Sequence, residues 1–163
     1  MRIASAIAII AAAAALSGCG KNDSKVYSNG KESVSVSNSG DHITMTGQNG
    51  EKIEIGGAQD IRGKLPSYLP MYPGGEVKSS FFGNGKDGAG GVVMFHTKAA
   101  APDIISFYKK KAAAAGMSDA MDMNSGGTIL YAGTNEKTKE SVQVAATKSS
   151  DGTDVQLTWS GKK

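Results

Sequence analysis

The stretch Pro102-Asp103-Ile104-Ile105-Ser106-Phe107-Tyr108-Lys109-Lys110-Lys111-Ala112-Ala113-Ala114-Ala115-Gly116 contains the signals that begin, continue and end a helix. Pro102 suits the first helical position, where no amide hydrogen is needed, and Asp103 favours the positive start of a helix. Gly116 suits the left-handed conformation that commonly ends one. The stretch predicts one helix over Pro102–Ala115, with an apolar stripe that packs on a sheet. The stripe consists of Ile104, Ile105, Tyr108, Ala112 and Ala115.

Two predicted strands precede this helix. Glu76–Phe82 and Gly91–Thr97 flank a glycine-rich loop at Gly83–Gly90, which is typical of a hairpin. In the second strand apolar residues occupy both faces, as in a central strand that is covered, at least in part, on both sides.

Four predicted strands follow the helix, and apolar and polar residues alternate in the last two, as in half-buried antiparallel strands. The resulting order, β-β-α-β-β-β-β, predicts an α+β domain over residues 76–160, in which one helix packs on an antiparallel sheet. The four strands are Met117–Met123, Thr128–Ala132, Glu140–Thr147 and Thr153–Trp159.

A short β-meander is predicted over residues 33–57, before the main domain. Its three segments each place two apolar side chains on one face, and turn signals separate them. Six apolar side chains are too few to stabilise a module alone, so we expect the meander to pack on another part of the chain or to stay partly frayed. The segments are Ser33–Ser37, His42–Thr46 and Lys52–Ile55.

Residues 58–75 form a predicted linker followed by a proline-rich segment, Leu65–Gly75. Three prolines, at positions 66, 70 and 73, are incompatible with a helix or a sheet interior. We favour an extended strap across the main domain, and the alternative is a polyproline-type ligand for a partner protein.

The N-terminal residues 1–18 have the pattern of a secretory signal peptide. Arg2 precedes an apolar run, Ile3–Leu16, that is too short to span a membrane as a helix, and small residues follow it. The chain's one cysteine, Cys19, comes next. A lone cysteine in an exported chain cannot form an internal disulfide, so another use of its sulfur is expected.

The segment Leu16-Ser17-Gly18-Cys19 resembles the lipobox of bacterial lipoproteins. The resemblance implies cleavage between Gly18 and Cys19, a diacylglyceryl group on the cysteine sulfur, and acylation of the new amino terminus by a fatty acid such as palmitate. In a Gram-negative host, Gly20 in place of aspartate favours the outer membrane, with the domain facing the periplasm. Ordinary signal cleavage beside an incidental cysteine is the alternative.

The mature chain would have 145 residues, with 17 basic and 15 acidic side chains. This near balance gives no support for a nucleic-acid partner. Residues 19–32 are polar and small, which predicts a flexible tether between the lipid anchor and the domain. The 22 glycines and the 6% aromatic content predict a small core with many turns.

A second resemblance covers residues 65–160. Tyr72–Gly75, Phe95–Thr97, Phe107–Lys110 and Ala115–Met117 together resemble the pattern "yPGa…f.T…fY…l…GW" of an uncharacterised domain found in small bacterial lipoproteins. The chain departs from the pattern in having glycine for alanine at position 75 and methionine for the final aromatic residue. The resemblance implies a small α+β domain, and it carries over no functional residue.

No catalytic or cofactor-binding residue is predicted. Gly83–Gly88 matches G-x-G-x-x-G, but the dinucleotide fingerprint requires a helix directly after it, and a strand is predicted here. His42 and His96 lie in separate segments. Cys19 is consumed by lipid if the lipobox interpretation holds. We therefore expect a protein that is not an enzyme.

Met117, Met121 and Met123 are the candidate metal ligands, because thioethers suit Cu(I). In a regular strand all three would share one face. The alternative is that these flexible side chains fill the core.

The sequence thus predicts a non-enzymatic, membrane-anchored periplasmic lipoprotein that contacts an envelope protein or the cell wall. The predicted contact regions are the segment Pro66–Pro73 and the helix face around Lys109–Lys111. Two alternatives are a carrier of a small apolar ligand and a methionine-based copper-handling protein.

Overall fold

The computed structural model describes residues 24–37, 42–57, 61, 63–86 and 88–161. Within these residues it shows one helix and ten strands, and the strands form a single antiparallel sheet. The prediction of a largely antiparallel sheet with one packed helix is confirmed. The elements are β1 (Ser24–Ser28), β2 (Ser33–Ser37), β3 (Ile43–Thr46), β4 (Lys52–Gly56), β5 (Glu76–Gly85), β6 (Gly88–Thr97), α1 (Ala101–Ala114), β7 (Ser118–Ser125), β8 (Thr128–Asn135), β9 (Glu140–Lys148) and β10 (Thr153–Gly161).

The strand order differs from the predicted one. In space it is β1-β2-β3-β4-β5-β6-β10-β9-β8-β7, so the predicted meander is part of the main sheet and the sheet has ten strands. The join is the β4–β5 ladder, in which Ile55 lies opposite Phe81. After β6, helix α1 connects to β7, which lies at the far edge of the sheet. Strands β7 to β10 then return, until β10 pairs with β6.

The predicted tether over residues 19–32 is corrected for the part that the structure describes, because Ser24–Ser28 forms strand β1. An Asn29-Gly30 turn joins β1 to β2, with Gly30 at a φ of +85°. The Asn29 side-chain oxygen accepts hydrogen bonds from the backbone amides of Lys31 and Glu32, at 3.0 and 2.8 Å. This turn makes a hairpin from residues too polar to be recognised as a strand.

The helix lies within one residue of its predicted bounds. Gly116 adopts the expected left-handed conformation, with a φ of +73°, and its amide donates to the Ala113 carbonyl at 2.9 Å. The Met117 amide donates to the Ala112 carbonyl, which completes the helix cap. Helix α1 packs over β7, β8 and β9. Its fully buried side chains are Ile104, Tyr108 and Ala112.

The prediction of a loop over Gly83–Gly90 is wrong for most of that segment. Strands β5 and β6 continue through it, and Gly85 lies opposite Gly88. Glycine is needed at the β6 end of this segment and just after it by a close approach: a Cβ atom would lie 2.7 Å from the Trp159 carbonyl oxygen at Gly90 and 2.6 Å from the Trp159 ring at Gly91. The glycines therefore let β10 pack tightly against this part of β6.

Strand β6 is central, as predicted, and its second face is covered only in part. Val93 and Phe95 are buried in the core that α1 covers. Met94, between them on the opposite face, is 46% exposed. The sheet therefore has one face that carries the core, with α1 packed over β7–β9, and an opposite face that the helix leaves open.

Candidate interaction surface

A row of apolar side chains crosses the open side of the sheet from β2 to β6. Directly opposite residues in antiparallel strands project from the same face. Register places five such residues in one line across five strands, so their side chains form a continuous surface. The row is Val36, Ile43, Ile55, Phe81 and Val92.

Neighbouring positions widen this row. Tyr27, Val34, Met45 and Ile53 lie opposite one another on β1 to β4, and Met94 follows Val92 on β6. We call the combined surface the open apolar face. Several members are well exposed, with Phe81 at 42%. Its ten residues are Tyr27, Val34, Val36, Ile43, Met45, Ile53, Ile55, Phe81, Val92 and Met94.

Polar side chains limit this surface on the other half of the sheet. Beyond Val92 the same row continues with Thr158 of β10 and Gln143 of β9. It then reaches Ala132 of β8 and Met121 of β7. The open apolar face is therefore confined to β1–β6, and a polar stripe separates it from the exposed methionines of β7.

The three candidate metal ligands do not share a face, contrary to the prediction. Strand β7 contains a register shift between Asp119 and Met121, and a bulge of this kind reverses the alternation of side chains. Met117 consequently joins the helix-covered core, whereas Met121 and Met123 are more than half exposed on the opposite face. Among the described residues, no group of three or more His, Cys, Asp or Glu side chains is arranged to bind a metal.

The two histidines lie on different strands. His96, near the end of β6, has its Nδ1 atom 2.8 Å from Asp154 Oδ1 and its Nε2 atom 3.6 Å from Asp151 Oδ1. His42 Nε2 lies 3.0 Å from Thr44 Oγ1. The structure does not combine them in one site. The G-x-G-x-x-G match is followed by strand β6, so it lacks the helix that a dinucleotide site needs.

The two predicted contact regions are largely occupied by contacts within the domain. In the proline-rich segment Leu69 is fully buried, and Tyr68, Met71 and Tyr72 pack against the core, as expected for a strap. On the helix, Lys109 pairs with Asp122 of β7, and this hydrogen bond raises the pKa of Lys109. Lys111 Nζ lies 5.6 Å from the centre of the Phe107 ring.

The described residues line clefts on the sheet, two of which bear on a ligand-carrying role. One, of about 190 Å³, lies beside Phe82 and Trp159. The other, of about 500 Å³, lies at the start of α1, and its lining includes the polar side chains of Lys98, Lys148 and Ser149. Neither is an apolar cavity between helix and sheet, where fully buried residues such as Ala112 keep the packing close.

A cluster of charges stabilises the junction between β4 and the strap. Glu54 pairs with both Lys52 and Lys64. Hydrogen bonds from these two ammonium groups hold the pKa of the Glu54 carboxyl below its ordinary value of 4.5. Lys64 Nζ also lies 5.1 Å from the centre of the Phe82 ring. The cluster thus connects the first half of the sheet to the segment that leads into the strap.

The Glu54→Gln variant is expected to lose about 1 kcal/mol of unfolding free energy at neutral pH, because it removes the charge that both lysines contact. A lowered folded-state pKa gives stability that is present above the unfolded-state pKa and is lost as the pH falls through the folded-state value. The difference between wild type and variant should therefore disappear at acidic pH. Urea denaturation at pH 7 and about pH 3 measures it.

Glu76→Gln provides the matched control, since the Glu76 side chain is 77% exposed and its partner Lys78 is 3.8 Å away. This variant should change stability little at either pH. Equal losses in the two variants at neutral pH would show that the Glu54 cluster has no special contribution.

The predicted cleavage site and lipid attachment, Gly18 and Cys19, lie outside the described residues. The described residues contain no helix that is both long and apolar enough to cross a membrane. No family model, curated protein or solved structure matches the chain.

Proposed function

We propose that this chain is a lipoprotein, anchored through Cys19 in the outer membrane and facing the periplasm, that serves as a non-enzymatic interaction module of the cell envelope. The observation that supports the proposal is the open apolar face. It begins at β1, whose first residue, Ser24, comes five residues after Cys19. A lipid anchor followed closely by an exposed apolar surface suits a protein that acts by contact.

The contact surface in this proposal differs from the one predicted from the sequence. The strap has its largest apolar side chains packed inward, and Lys109 is engaged by Asp122. The open apolar face instead presents side chains such as Phe81 and Met94 that stay exposed among the described residues, at 42% and 46%. The partner class remains an envelope component, and the nearly balanced charge gives no support for nucleic acid.

Carriage of a small apolar ligand receives less support. Such a carrier needs an apolar pocket of roughly 300 to 1,000 Å³. The larger cleft, at the start of α1, has a volume in this range, but lysine, serine and asparagine residues line it together with alanines and Ile129. Ile104, Tyr108 and Ala112 are fully buried between helix and sheet. Their side chains fill this part of the core, so it serves packing and not ligand binding.

The Cys19→Ser variant tests the anchor. Wild-type protein should be recovered in the outer-membrane fraction, and mass spectrometry of its first peptide should show a diacylglyceryl group and a fatty acyl group on Cys19. The variant should lose both groups and be absent from that fraction, because a single weak apolar contact does not hold a protein at a membrane.

Ser17→Ala is the matched control, since it keeps a small residue in the box and the cysteine in place. This control should remain lipidated and membrane-bound. An unmodified Cys19 in the wild-type protein would refute the proposal.

A further inference from the structure

We infer that the open apolar face lies against the surface of the bilayer that holds the Cys19 lipid. The inference rests on the proposed lipid anchor and names the partner of its contact surface. The occupant is a phospholipid surface, with its headgroups around the rim of the face and its acyl region under the centre.

The length of chain between anchor and sheet supports this partner. Ser24, the first residue of β1, lies five positions after Cys19, with four residues between them. A fully extended chain of that length spans at most about 18 Å. The β1 edge of the sheet is therefore kept close to the bilayer. A short tether gives the attached surface a high effective concentration at the membrane, so even a weak apolar affinity suffices for docking.

The side chains at the β1 edge suit a membrane surface. Tyr27 and Lys25 both project from the open side of β1, opposite Val34 and Val36. Tyrosine favours the headgroup region because it has an apolar ring and a polar hydroxyl. Lysine is attracted by anionic headgroups. The apolar centre of the face follows on β3 to β5, where Ile55 and Phe81 are exposed.

The size of the face favours a lipid surface over a second copy of the chain. The face covers six strands spaced about 4.8 Å apart and about four residues of each strand, at a rise of about 3.4 Å per residue. Its projected area is therefore roughly 400 Å². A standard stable protein interface takes about 800 Å² from each partner. A bilayer needs no complementary shape, and the covalent anchor supplies the remaining affinity.

The polar stripe and the sheet twist limit docking to β1–β6. Adjacent strands rotate by about 20 to 25°. Met121 of β7 lies in the same cross-strand row as Phe81, but five strands away, or roughly 24 Å along a flat sheet. A plane that touches the centre of the face at β3 has Phe81 only two strands away, whereas Met121 lies seven strands away, so the accumulated twist turns Met121 away from that plane. These two residues thus form a matched pair for a test.

The test uses full-length lipidated protein in vesicles of phosphatidylethanolamine and phosphatidylglycerol that contain acyl chains brominated near the headgroup. Two variants, Phe81→Trp and Met121→Trp, each place a reporter tryptophan on the open side of the sheet. Both positions are exposed, at 42% and 51%. Trp159 is buried on the helix-covered side and contributes the same background to both.

Emission from Phe81→Trp should shift to the blue and be quenched by the brominated lipid, whereas emission from Met121→Trp should change little. Adding Ile55→Ser to the Phe81→Trp variant should weaken the quenching, because Ile55 lies directly opposite position 81 on the same face.

Absence of quenching at position 81 in protein whose Cys19 is lipidated and vesicle-bound would overturn the docking inference and leave the anchor intact. Equal quenching at both positions would also overturn it. A concentration-dependent blue shift of Phe81→Trp without vesicles would instead indicate a second copy as the occupant. An unmodified Cys19 would remove the anchor and the docking together.

Discussion

Replacing Leu157 with alanine is expected to lower the free energy of unfolding by about 2 to 5 kcal/mol. Leu157 is fully buried at the centre of β10. It lies opposite Val93 of β6 and Val144 of β9, so it fills the core where the two halves of the sheet meet. Truncation leaves a cavity that strands paired on both sides cannot close by moving.

Ile55→Ala is the matched control, because it removes an aliphatic side chain of equal size from the open apolar face. Ile55 is 37% exposed, so the loss should stay below about 1 kcal/mol. Urea denaturation of the purified protein without lipid, followed by Trp159 fluorescence, measures both variants. Comparable losses would mean that another part of the chain covers this face in solution, and would contradict the open surface.

Gly91→Ala is expected to cost about 3 kcal/mol, at the upper end of overpacking effects. The added Cβ would lie 2.6 Å from the Trp159 ring and 2.8 Å from the Phe81 carbonyl oxygen. The carbonyl belongs to a paired strand and cannot retreat without breaking the β5–β6 ladder. Trp159 would have to change its position in the core.

Gly57→Ala is the control for Gly91→Ala, because no atom lies within 4 Å of a Cβ added there. It should leave stability nearly unchanged. Thermal or urea denaturation gives the stability of both variants, and the emission maximum of Trp159 reports its displacement in Gly91→Ala. Tolerance of alanine at position 91 without a change in that emission would contradict the close approach of β10 to β6.

Local signals were sufficient for α1 and for most strands. The helix start at Pro102 and stop at Gly116 act through neighbouring residues, so the observed bounds Ala101–Ala114 lie within one residue of the prediction. The strands after it were recognisable because β9 and β10 alternate between core and surface. Where an element depends on a distant partner, local signals fail. The Gly83–Gly90 segment continues as strands through its ladder pairs, and at Gly90 it approaches a residue far along the chain, because a Cβ there would lie 2.7 Å from the Trp159 carbonyl oxygen.

The candidate surface depended on register and could be predicted only in part. The apolar pairs of residues 33–57 were evident in the sequence, and so was the alternation of Val92 and Met94. Their union in one face required the β4–β5 pairing of Ile55 with Phe81, which no local pattern encodes. The methionine prediction failed for a related reason: one bulge after Asp119 places Met117 on the opposite side from Met121.

The position of β10 has a consequence for the order in which the protein matures. Synthesis proceeds from the N-terminus, so Thr153–Gly161 is the last of the described strands to emerge. Yet this strand lies between β6 and β9, in the interior of the sheet. Until it arrives, the free side of β6 and the free side of β9 expose unpaired backbone groups. Before β10 pairs, the other strands can therefore form at most two separate sheets, and β10 joins them into one.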